Sequence, residues 1–293
     1  MKIKALKLIL SSLSYLFPRH AGQWLAIRFF QLKETQAKAW ETTIPEADEV
    51  ISVHGNVRMR RWGSGTRKII LVHGWEGRFS QFAVLIPKLL SLNFEIYALD
   101  PPGHGLSGNI KSDPVQFGNA IKAAAIKLGK PEAIVGHSMG AIGAILALND
   151  GAETDKVVLI SLPASVEHTL RTTTKNIGFS DAATRFFINE INLIVGKKAS
   201  DLDARKLACH RGEKALFLHD KADPQTPFQH SQEVFSKWQN SQFILTSGLG
   251  HNRILSSDDV CNTIVEFLQK EHMEIEEKAS RSTGCYEVMD ASK

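Results

Sequence analysis

The chain has 293 residues, of which 43% are hydrophobic and 23% charged, and its formal net charge at pH 7 is +4. A chain of this length can bury a large core without disulfides or metals, so one large α/β domain or two small ones are expected. Its basic residues are scattered and form no aromatic-interleaved stripe, so no nucleic-acid partner is predicted. The three widely spaced cysteines argue against a disulfide framework and predict a reducing, cytoplasmic compartment.

Residues 1–46 are predicted to form a helical segment ahead of the main domain. Lysines precede an apolar stretch at residues 8–17, as in a signal peptide, but the sequence PRH follows in place of a small-residue cleavage site. The stretch is too short to span a bilayer. An amphipathic helix is therefore predicted over residues 1–17, and we expect its apolar face to pack on the domain. Peripheral membrane contact through the lysines and a secretion signal are the alternatives. The apolar face comprises Ile3, Leu6, Ile9, Leu10, Leu13 and Phe17.

Strand-like and helix-like patterns alternate through residues 47–270, which predicts a mostly parallel sheet covered by helices on both faces. The first two strands, split by Gly55-Asn56, are predicted to form a hairpin at an antiparallel edge. Eight strands are predicted, at residues 50–53, 57–60, 68–73, 94–99, 133–135, 156–161, 214–219 and 241–246. Helices are predicted at residues 79–90, 115–128, 141–148, 229–238 and 258–270.

Two segments fall outside this alternation. Residues 162–212 carry no strand pattern and read as helical, and they are too long for a plain connection between strands. They are predicted to form a cap or lid over the carboxyl edge of the sheet. Residues 271–293 are polar without a sustained apolar period, so this tail is predicted to be disordered.

The pentapeptide GHSMG at residues 136–140 lies between a predicted strand and an Ala-rich predicted helix. The pattern G-x-S-x-G in this setting is typical of a nucleophile elbow, a tight strand-to-helix turn that exposes one serine. Glycines on either side avoid Cβ clashes, and the helix directs free N–H groups at the reacting centre. The pattern alone is weak because Gly-Ser turns often match it by chance. Other motifs must therefore support Ser138 as a nucleophile.

A glycine-rich turn, HGWEGR, follows the third predicted strand. Such a turn can direct a backbone N–H at the space above Ser138, and Trp75 is the predicted donor. The N–H of Met139, which opens the helix behind the serine, is the predicted second donor. Two donors of this kind stabilise the negative oxygen of a tetrahedral intermediate, and loss of one costs about 2.7–4 kcal/mol. The Trp75 ring could equally serve as a wall of the pocket.

Later loops offer an acid and a base. In HDKADP, after the seventh predicted strand, Asp223 lies further beyond the strand end than Asp220, so Asp223 is the predicted acid and Asp220 the predicted cap of the turn. In GLGHNR, after the last predicted strand, His251 stands on a Gly-flanked loop from which it could take the proton of Ser138. The order Ser, Asp, His is the one expected for such a fold. The DPPGHGLS turn is predicted to be scaffold, with His104 a minor candidate for the site.

The runs LVHGWEGR, ALDPPGHGLS, IVGHSMGA, HDKADPQTP and GLGHNRIL resemble the α/β-hydrolase superfamily over roughly residues 47–270, and in particular a bacterial branch of esterase/lipase-like or serine aminopeptidase-like hydrolases. The resemblance implies an α/β-hydrolase fold, with an eight-stranded sheet and a cap inserted after the sixth strand. It implies a Ser138, Asp223 and His251 triad, with oxyanion N–H groups from Trp75 and Met139. The chain departs from many lipases and esterases in one loop, where HGWEG replaces HGGG.

These features predict that a small-molecule acyl substrate, a carboxylic ester or thioester, is hydrolysed through an acyl-enzyme without a metal or organic cofactor. A serine in the elbow counts against dehalogenase and epoxide-hydrolase chemistry, which needs a carboxylate nucleophile. Acyl transfer and peptide or amide cleavage use the same triad and stay open, as does a non-catalytic binding protein. The oligomeric state also stays open. The candidates for the substrate pocket are Glu76, Arg78 and His137.

Overall fold

The computed structural model describes residues 2–33, 35–108, 111–209, 211–269 and 287–290. The chain divides into two compact units, one formed by Met1–Lys33 with Ala164–Asp203 and the other by Glu34–Pro163 with Ala204–Lys293. The α-helices of the described residues are α1 Lys2–Leu16, α2 Pro18–Phe29, α3 Leu85–Leu90, α4 Pro114–Leu128, α5 Met139–Asn149, α6 Val166–Ile177, α7 Asp181–Val195, α8 Ala204–Leu207, α9 Gln229–Phe235, α10 Gly250–Arg253 and α11 Asp258–Gln269. None of these helices, across the described ranges, has both the length and the apolar character needed to traverse a bilayer.

The larger unit is built on a single mostly parallel sheet. Its strands are β1 Glu49–Ser52, β2 Arg58–Trp62, β3 Arg67–Val72, β4 Phe94–Asp100, β5 Ala133–His137, β6 Lys156–Ile160, β7 Lys214–Asp220, β8 Ser241–Ser247 and β9 Glu287–Asp290. Their order across the sheet is β1-β2-β4-β3-β5-β6-β7-β8-β9. The β1–β2 hairpin is antiparallel and β2 pairs antiparallel with β4, whereas β3 to β9 run parallel. The predicted fold class is confirmed, and all eight predicted strands are present.

The ninth strand bears on the prediction of a disordered tail. Residues 271–286 and 291–293 lie outside the described residues, so for them the prediction stays a prediction. Residues 287–290 form β9, which pairs with β8 from Ile244 to Ser247. Backbone pairing with an otherwise open sheet edge accounts for a strand that the polar sequence did not indicate.

The central strands are buried because their sequences are nearly continuous apolar runs, as parallel strands covered on both faces require. Ile69 of β3, Val135 of β5 and Val158 of β6 are fully buried in one core cluster. Helix α4 is capped at its start by Asp113, whose carboxylate accepts the Gln116 N–H, and at its end by the left-handed Gly129. The predicted helix at residues 79–90 is divided into a 3-10 turn, Phe79–Phe82, and α3.

The smaller unit contains α1, α2, α6 and α7. Helices α2 and α7 pack closely because a Cβ at Gly22 would lie only 2.7 Å from the carbonyl oxygen of Ala183 and the amide nitrogen of Phe187. The Phe187 ring meets Phe29 edge-on, with 5.7 Å between centroids. The structure therefore groups the N-terminal helices with most of the predicted cap, a pairing that the predicted division into residues 1–46 and 47–270 did not include. The position of this cap over the sheet stays a prediction.

Helix α1 does not pack as expected. Of the side chains described in α1, residues 7–16, only Ser14 is buried. Ile9 is 55% exposed and Leu13 is 42% exposed, and Phe17, just after the helix, is 57% exposed. The prediction that this apolar face packs on the protein is therefore wrong for these side chains. The reason is that Ser11 donates to the carbonyl of Gly178 and Ser14 accepts the N–H of Ser180, so the face that carries the serines is held inward instead.

Candidate active site

Ser138 occupies the turn between β5 and α5 with φ +52° and ψ −112°, a conformation that residues other than glycine rarely adopt. Backbone approaches so closely around it that a Cβ at Gly136 would lie 2.5 Å from the carbonyl oxygen of Gly140. A Cβ at Gly140 would in turn collide with the carbonyl oxygens of Val72 and His73. Both glycines of GHSMG are therefore required by the geometry of the turn.

Three predicted site residues, Ser138, His251 and Asp223, form a chain of side-chain hydrogen bonds. The Ser138 Oγ is 2.9 Å from Nε2 of His251, and Nδ1 of the same imidazole is 2.7 Å from Oδ2 of Asp223. A carboxylate can only accept, so Nδ1 carries a hydrogen and donates it to Asp223. In the neutral imidazole Nε2 is then an acceptor for the hydroxyl of Ser138. This is the tautomer that a general base for Ser138 needs.

The carboxylate of Asp223 is fully engaged. Oδ1 accepts the N–H groups of Gln225 and Thr226 at 2.8 and 2.9 Å, and Oδ2 faces His251 and Nε2 of His219, at 3.3 Å. Burial opposes ionisation of Asp223, but the hydrogen bonds from His219, His251 and Thr226 outweigh it and hold the pKa of this carboxyl well below its usual range. The acid beside His251 is therefore a stable, oriented anion.

Asp220, the competing acid, has another place in the structure. Its Oδ1 accepts the N–H of Ala222, and its Oδ2 accepts the Thr246 hydroxyl and the N–H of Leu249, all at 2.8–2.9 Å. The Asp220 side chain thus ties the loop after β7 to the loop after β8. Because Leu249 stands two residues before His251, Asp220 supports the backbone that carries the imidazole without touching it.

The loop after β3 lies against Ser138. A Cβ at Gly74 would come within 3.0 Å of the Ser138 Cβ, and the turn closes through the N–H of Gly77 on the carbonyl of Gly74 at 3.0 Å. The N–H of Glu76 is already donated to Nε2 of His104 at 3.1 Å. Trp75, the predicted oxyanion donor, is the residue directly after the glycine that abuts Ser138. Met139, the other predicted donor, is the first residue of α5, where an N–H has no partner inside the helix.

The pocket candidates lie in different surroundings. Glu76 is half-buried with φ +55° in the turn that adjoins Ser138. The guanidinium of Arg78 donates to the hydroxyl of Thr35 at 2.5 Å and lies 3.7 Å from the Glu41 carboxylate, so its charge is paired away from the serine. His137 is fully buried, and its Nε2 donates to the carbonyl oxygen of His251 at 2.8 Å. It therefore supports the loop of the imidazole and is not exposed to a substrate.

Burial keeps the supporting histidines neutral. Desolvation, reinforced by the neighbouring His251 ring, lowers the pKa of His137 to about 3. Burial also lowers the pKa of His104, whose Nε2 accepts the Glu76 N–H while Nδ1 donates to the carbonyl of Pro102. Both rings are therefore fixed hydrogen-bonding groups around the site, and neither is placed to exchange a proton with Ser138.

His219 is the residue of this region that sequence reasoning missed. His219 is the second-to-last residue of β7 and is fully buried. Its Nε2 faces both the carbonyl of Thr226 and Oδ2 of Asp223. Its Nδ1 is 2.6 Å from the hydroxyl of Ser231, which can donate to it. A signal was available, because His219 precedes Asp223 by four residues across a turn. Within the described ranges, no group of three or more His, Cys, Asp and Glu residues is placed to hold a metal ion.

A parallel sheet with a strained serine at a strand-to-helix turn, hydrogen bonded to a histidine on a later loop, defines the class as an α/β protein of the hydrolase type. A family model described as the Alpha/beta hydrolase family matches residues 69–263, and the chain belongs to this family. The resemblance of the sequence motifs to the α/β-hydrolase superfamily is therefore confirmed. Membership supports hydrolase activity.

Solved structures show the same fold at low sequence identity. A monoacylglycerol lipase from Paleococcus ferrophilus is similar with a TM-score of 0.57 and 20% identity, covering 75% of this chain and 98% of its own. An esterase from Exiguobacterium antarcticum has a TM-score of 0.52 and 16% identity, covering 73% and 96%. The thioesterase domain from the curacin biosynthetic pathway has a TM-score of 0.56 and 13% identity, covering 75% and 97%. No curated protein sequence matches the chain. At these identities the likeness concerns the fold alone.

Proposed function

We propose that the protein is a serine hydrolase that cleaves a carboxylic ester or thioester, with Ser138 as nucleophile, His251 as general base and Asp223 as the acid that orients it. One observation carries the proposal: the hydroxyl of a serine in a strained strand-to-helix turn lies 2.9 Å from an imidazole whose other nitrogen lies 2.7 Å from a buried carboxylate. Serine is a weak nucleophile by itself, and this arrangement supplies the base that activates it.

The reaction follows from the roles of these groups. His251 takes the proton of Ser138 while Oγ attacks the acyl carbon, and the imidazolium then protonates the leaving group. Water, deprotonated by the same imidazole, hydrolyses the acyl-enzyme and restores the serine. The low pKa of Asp223 means that the carboxylate remains an anion throughout and stabilises the imidazolium. Donation from Nδ1 of His251 keeps Nε2 free to act as the base.

The oxyanion of the tetrahedral intermediate requires its own donors. We assign this role to the N–H groups of Trp75 and Met139. Close approach of Gly74 to Ser138 supports Trp75, and the start of α5 directly after the serine supports Met139, since the positive end of the helix dipole adds to its N–H. The half-buried Trp75 ring and Glu76 line the same turn and are assigned to the acyl pocket.

The substrate class rests on chemistry and on the named structural neighbours. A monoacylglycerol lipase, an esterase and a thioesterase domain share the fold, and all three names denote cleavage of an acyl–oxygen or acyl–sulfur bond. Acyl transfer to an alcohol or amine and cleavage of an amide bond need the same three residues. We therefore place the ester or thioester first and treat the other acceptors and bonds as outcomes of the assay.

The test is labelling of the purified full chain with a fluorophosphonate probe, followed by turnover of esters, thioesters and aminoacyl amides of graded acyl length. We expect stoichiometric modification of Ser138 and turnover of esters or thioesters. Ser138→Ala should lose the label and at least about a thousandfold in kcat. Ser161→Ala is the matched control, because Ser161 is also buried with a positive φ of 51° at the end of the adjacent strand β6. Folded wild-type protein that takes up no probe at Ser138 would refute the proposal. Turnover confined to amides would mean that the substrates are amides and not esters or thioesters.

A further inference from the structure

The N-terminal helices expose apolar side chains that an ordinary surface helix would bury. In α1, Leu8 is 70% and Leu16 is 71% exposed, and in α2 Ile27 is 60% exposed. A helix on a globular protein usually turns such residues toward the core and its polar residues toward water. We call these exposed side chains the N-terminal apolar surface, which comprises Leu8, Ile9, Leu13, Tyr15, Leu16, Phe17, Trp24 and Ile27.

The orientation of α1 is fixed by polar contacts on its other side. Ser14 is buried, and its Oγ accepts the N–H of Ser180 at 2.9 Å while its carbonyl accepts the Ser180 hydroxyl at 2.6 Å. Ser11 donates to the carbonyl of Gly178 at 2.6 Å, and Lys7 donates to the carbonyl of Asn176. These partners stand at the end of α6 and the start of α7.

The spacing of these residues shows that α1 turns polar residues inward and apolar residues outward, the reverse of an ordinary amphipathic helix. Lys7, Ser11 and Ser14 recur at i, i+4 and i+7, so they share one face of α1. At 100° per residue, Ile9 and Leu16 lie on the opposite face, and Leu8 lies on the flank between the two faces. The serines and the lysine therefore bind the helix to its own unit, and the apolar residues cannot turn inward without breaking those hydrogen bonds.

The charge of this segment is also one-sided. Residues 1–33 contain six Lys or Arg residues and no Asp or Glu, whereas the other 260 residues contain 29 basic and 31 acidic side chains. The positive charge of the chain thus belongs to the segment that exposes the apolar residues. In α2, the guanidinium of Arg28 lies 5.8 Å from the ring centroid of the half-exposed Trp24. Tryptophan beside basic residues is the combination enriched where a membrane meets water.

We propose that the N-terminal apolar surface docks peripherally on an anionic phospholipid membrane. Its apolar side chains would enter the boundary between headgroups and acyl chains, and the exposed Arg19 and Arg28 would face the lipid phosphates. The helices lie on the membrane rather than across it, since none in the described ranges is suited to span one. A second copy of the chain is a poorer occupant, because a symmetric contact through this surface would bring two sets of positive charges together.

The experiment measures partition of the full chain onto lipid vesicles by sedimentation. We expect binding to phosphatidylcholine vesicles that contain about one third phosphatidylglycerol, and much weaker binding to phosphatidylcholine alone. Binding to the anionic vesicles should weaken as NaCl rises from about 0.05 to about 0.5 M, because salt screens the charge attraction. The double variant Leu8→Gln/Leu16→Gln should lower the partition coefficient at least about tenfold.

Matched variants keep the result interpretable. Ile126→Gln changes an apolar residue that is 66% exposed on α4 of the larger unit, and it should leave vesicle binding unchanged. Thermal unfolding and turnover of a soluble short-chain ester show that each variant is folded, and neither readout depends on lipid. Absence of wild-type binding to anionic vesicles would overturn the proposal. So would equal loss in the Ile126→Gln variant, or a wild-type dimer in analytical ultracentrifugation that the double variant dissociates while vesicle binding stays unchanged.

Discussion

Helices α5 and α1 are both rich in apolar residues, and their surroundings differ sharply. Helix α5, MGAIGAILALN, buries eight of its eleven residues within the larger unit. Helix α1, KIKALKLILSSLSYL, buries one of the ten side chains described for it, and that residue is Ser14. A high content of apolar residues is therefore not enough to show that a helix lies in a core.

The difference shows what each helix is for. A helix that is apolar all round belongs in a core, and α5 is held there so that its first turn meets the strained Ser138. Helix α1 leaves its apolar side uncovered although burying it would stabilise the fold, and it is bound by serines instead. We infer that the apolar residues of α5 serve folding and the site, whereas those of α1 serve a partner.

The largest effect should come from the proposed triad of Ser138, His251 and Asp223 at the start of α5. Asp223→Asn removes the anion that accepts from Nδ1 of His251, so the amide no longer selects the tautomer with Nε2 free. We expect kcat to fall about ten-thousandfold with the fold intact. The measurement is single-turnover kinetics with an activated ester, together with a melting curve. Activity within a few-fold of wild type would mean that another group orients the imidazole.

A buried polar substitution tests the claim that α5 is core on every side. Ile142 is fully buried in α5, so Ile142→Gln places an amide where no water can reach it. We expect the free energy of unfolding to fall by about 3–5 kcal/mol, measured by urea denaturation. Leu16→Gln in α1 makes the same change on a side chain that is 71% exposed and should stay within about 0.5 kcal/mol of wild type. Similar losses in the free energy of unfolding for both variants would contradict the claim that α5 lies in the core and α1 does not.

Acid should weaken the two loops that hold His251 near the start of α5. Burial opposes ionisation of Asp220, but hydrogen bonds from Leu249, Thr246 and Ala222 outweigh it and lower the pKa of this carboxyl below its ordinary value of 3.8. A depressed folded-state pKa means that the stabilisation is complete above the unfolded value and is lost as the pH falls through the folded one. Asp220→Asn should therefore cost about 1–3 kcal/mol near pH 7 and much less near pH 2.

The measurement is urea denaturation of both proteins at the two pH values. Turnover by the folded fraction of Asp220→Asn should fall far less than that of Asp223→Asn, because Asp220 acts on the backbone before His251 and not on the ring. A stability difference that is the same at both pH values would show that ionisation of Asp220 is not what ties the two loops.

Local constraints explain what the sequence could predict. The Gly136 and Gly140 contacts arise within a single turn, so a pentapeptide records them, and apolar runs mark the strands that must be buried. The loops of Asp223 and His251 follow strand ends, and parallel strands bring such loops to one edge. These predictions needed only local patterns and the order of motifs.

Long-range pairing explains what the sequence could not predict. The periodicity of α1 reveals an apolar face but not what covers it, because the partner of Ser14 is Ser180, which lies 166 residues further along the chain. The union of the N-terminal helices with residues 164–203 depends on the same contacts. The bond from His219 to Asp223 depends on how the turn between them folds, and the strand β9 depends on an open sheet edge.

The smallest effects on stability should show most directly that α1 faces its own unit with serines and faces solvent with apolar residues. Ser14→Ala leaves the N–H of Ser180, a buried donor, without its acceptor, so we expect a loss of about 1–3 kcal/mol in the free energy of unfolding. Leu16→Gln, two residues away and far larger as a change of polarity, should cost almost nothing. The expected order, with a serine more important to stability than a leucine, is the reverse of that in an ordinary amphipathic helix. Urea denaturation of the two single variants measures it. A greater loss from Leu16→Gln than from Ser14→Ala would mean that the apolar face of α1 is covered within the folded protein, and it would remove the basis for membrane docking.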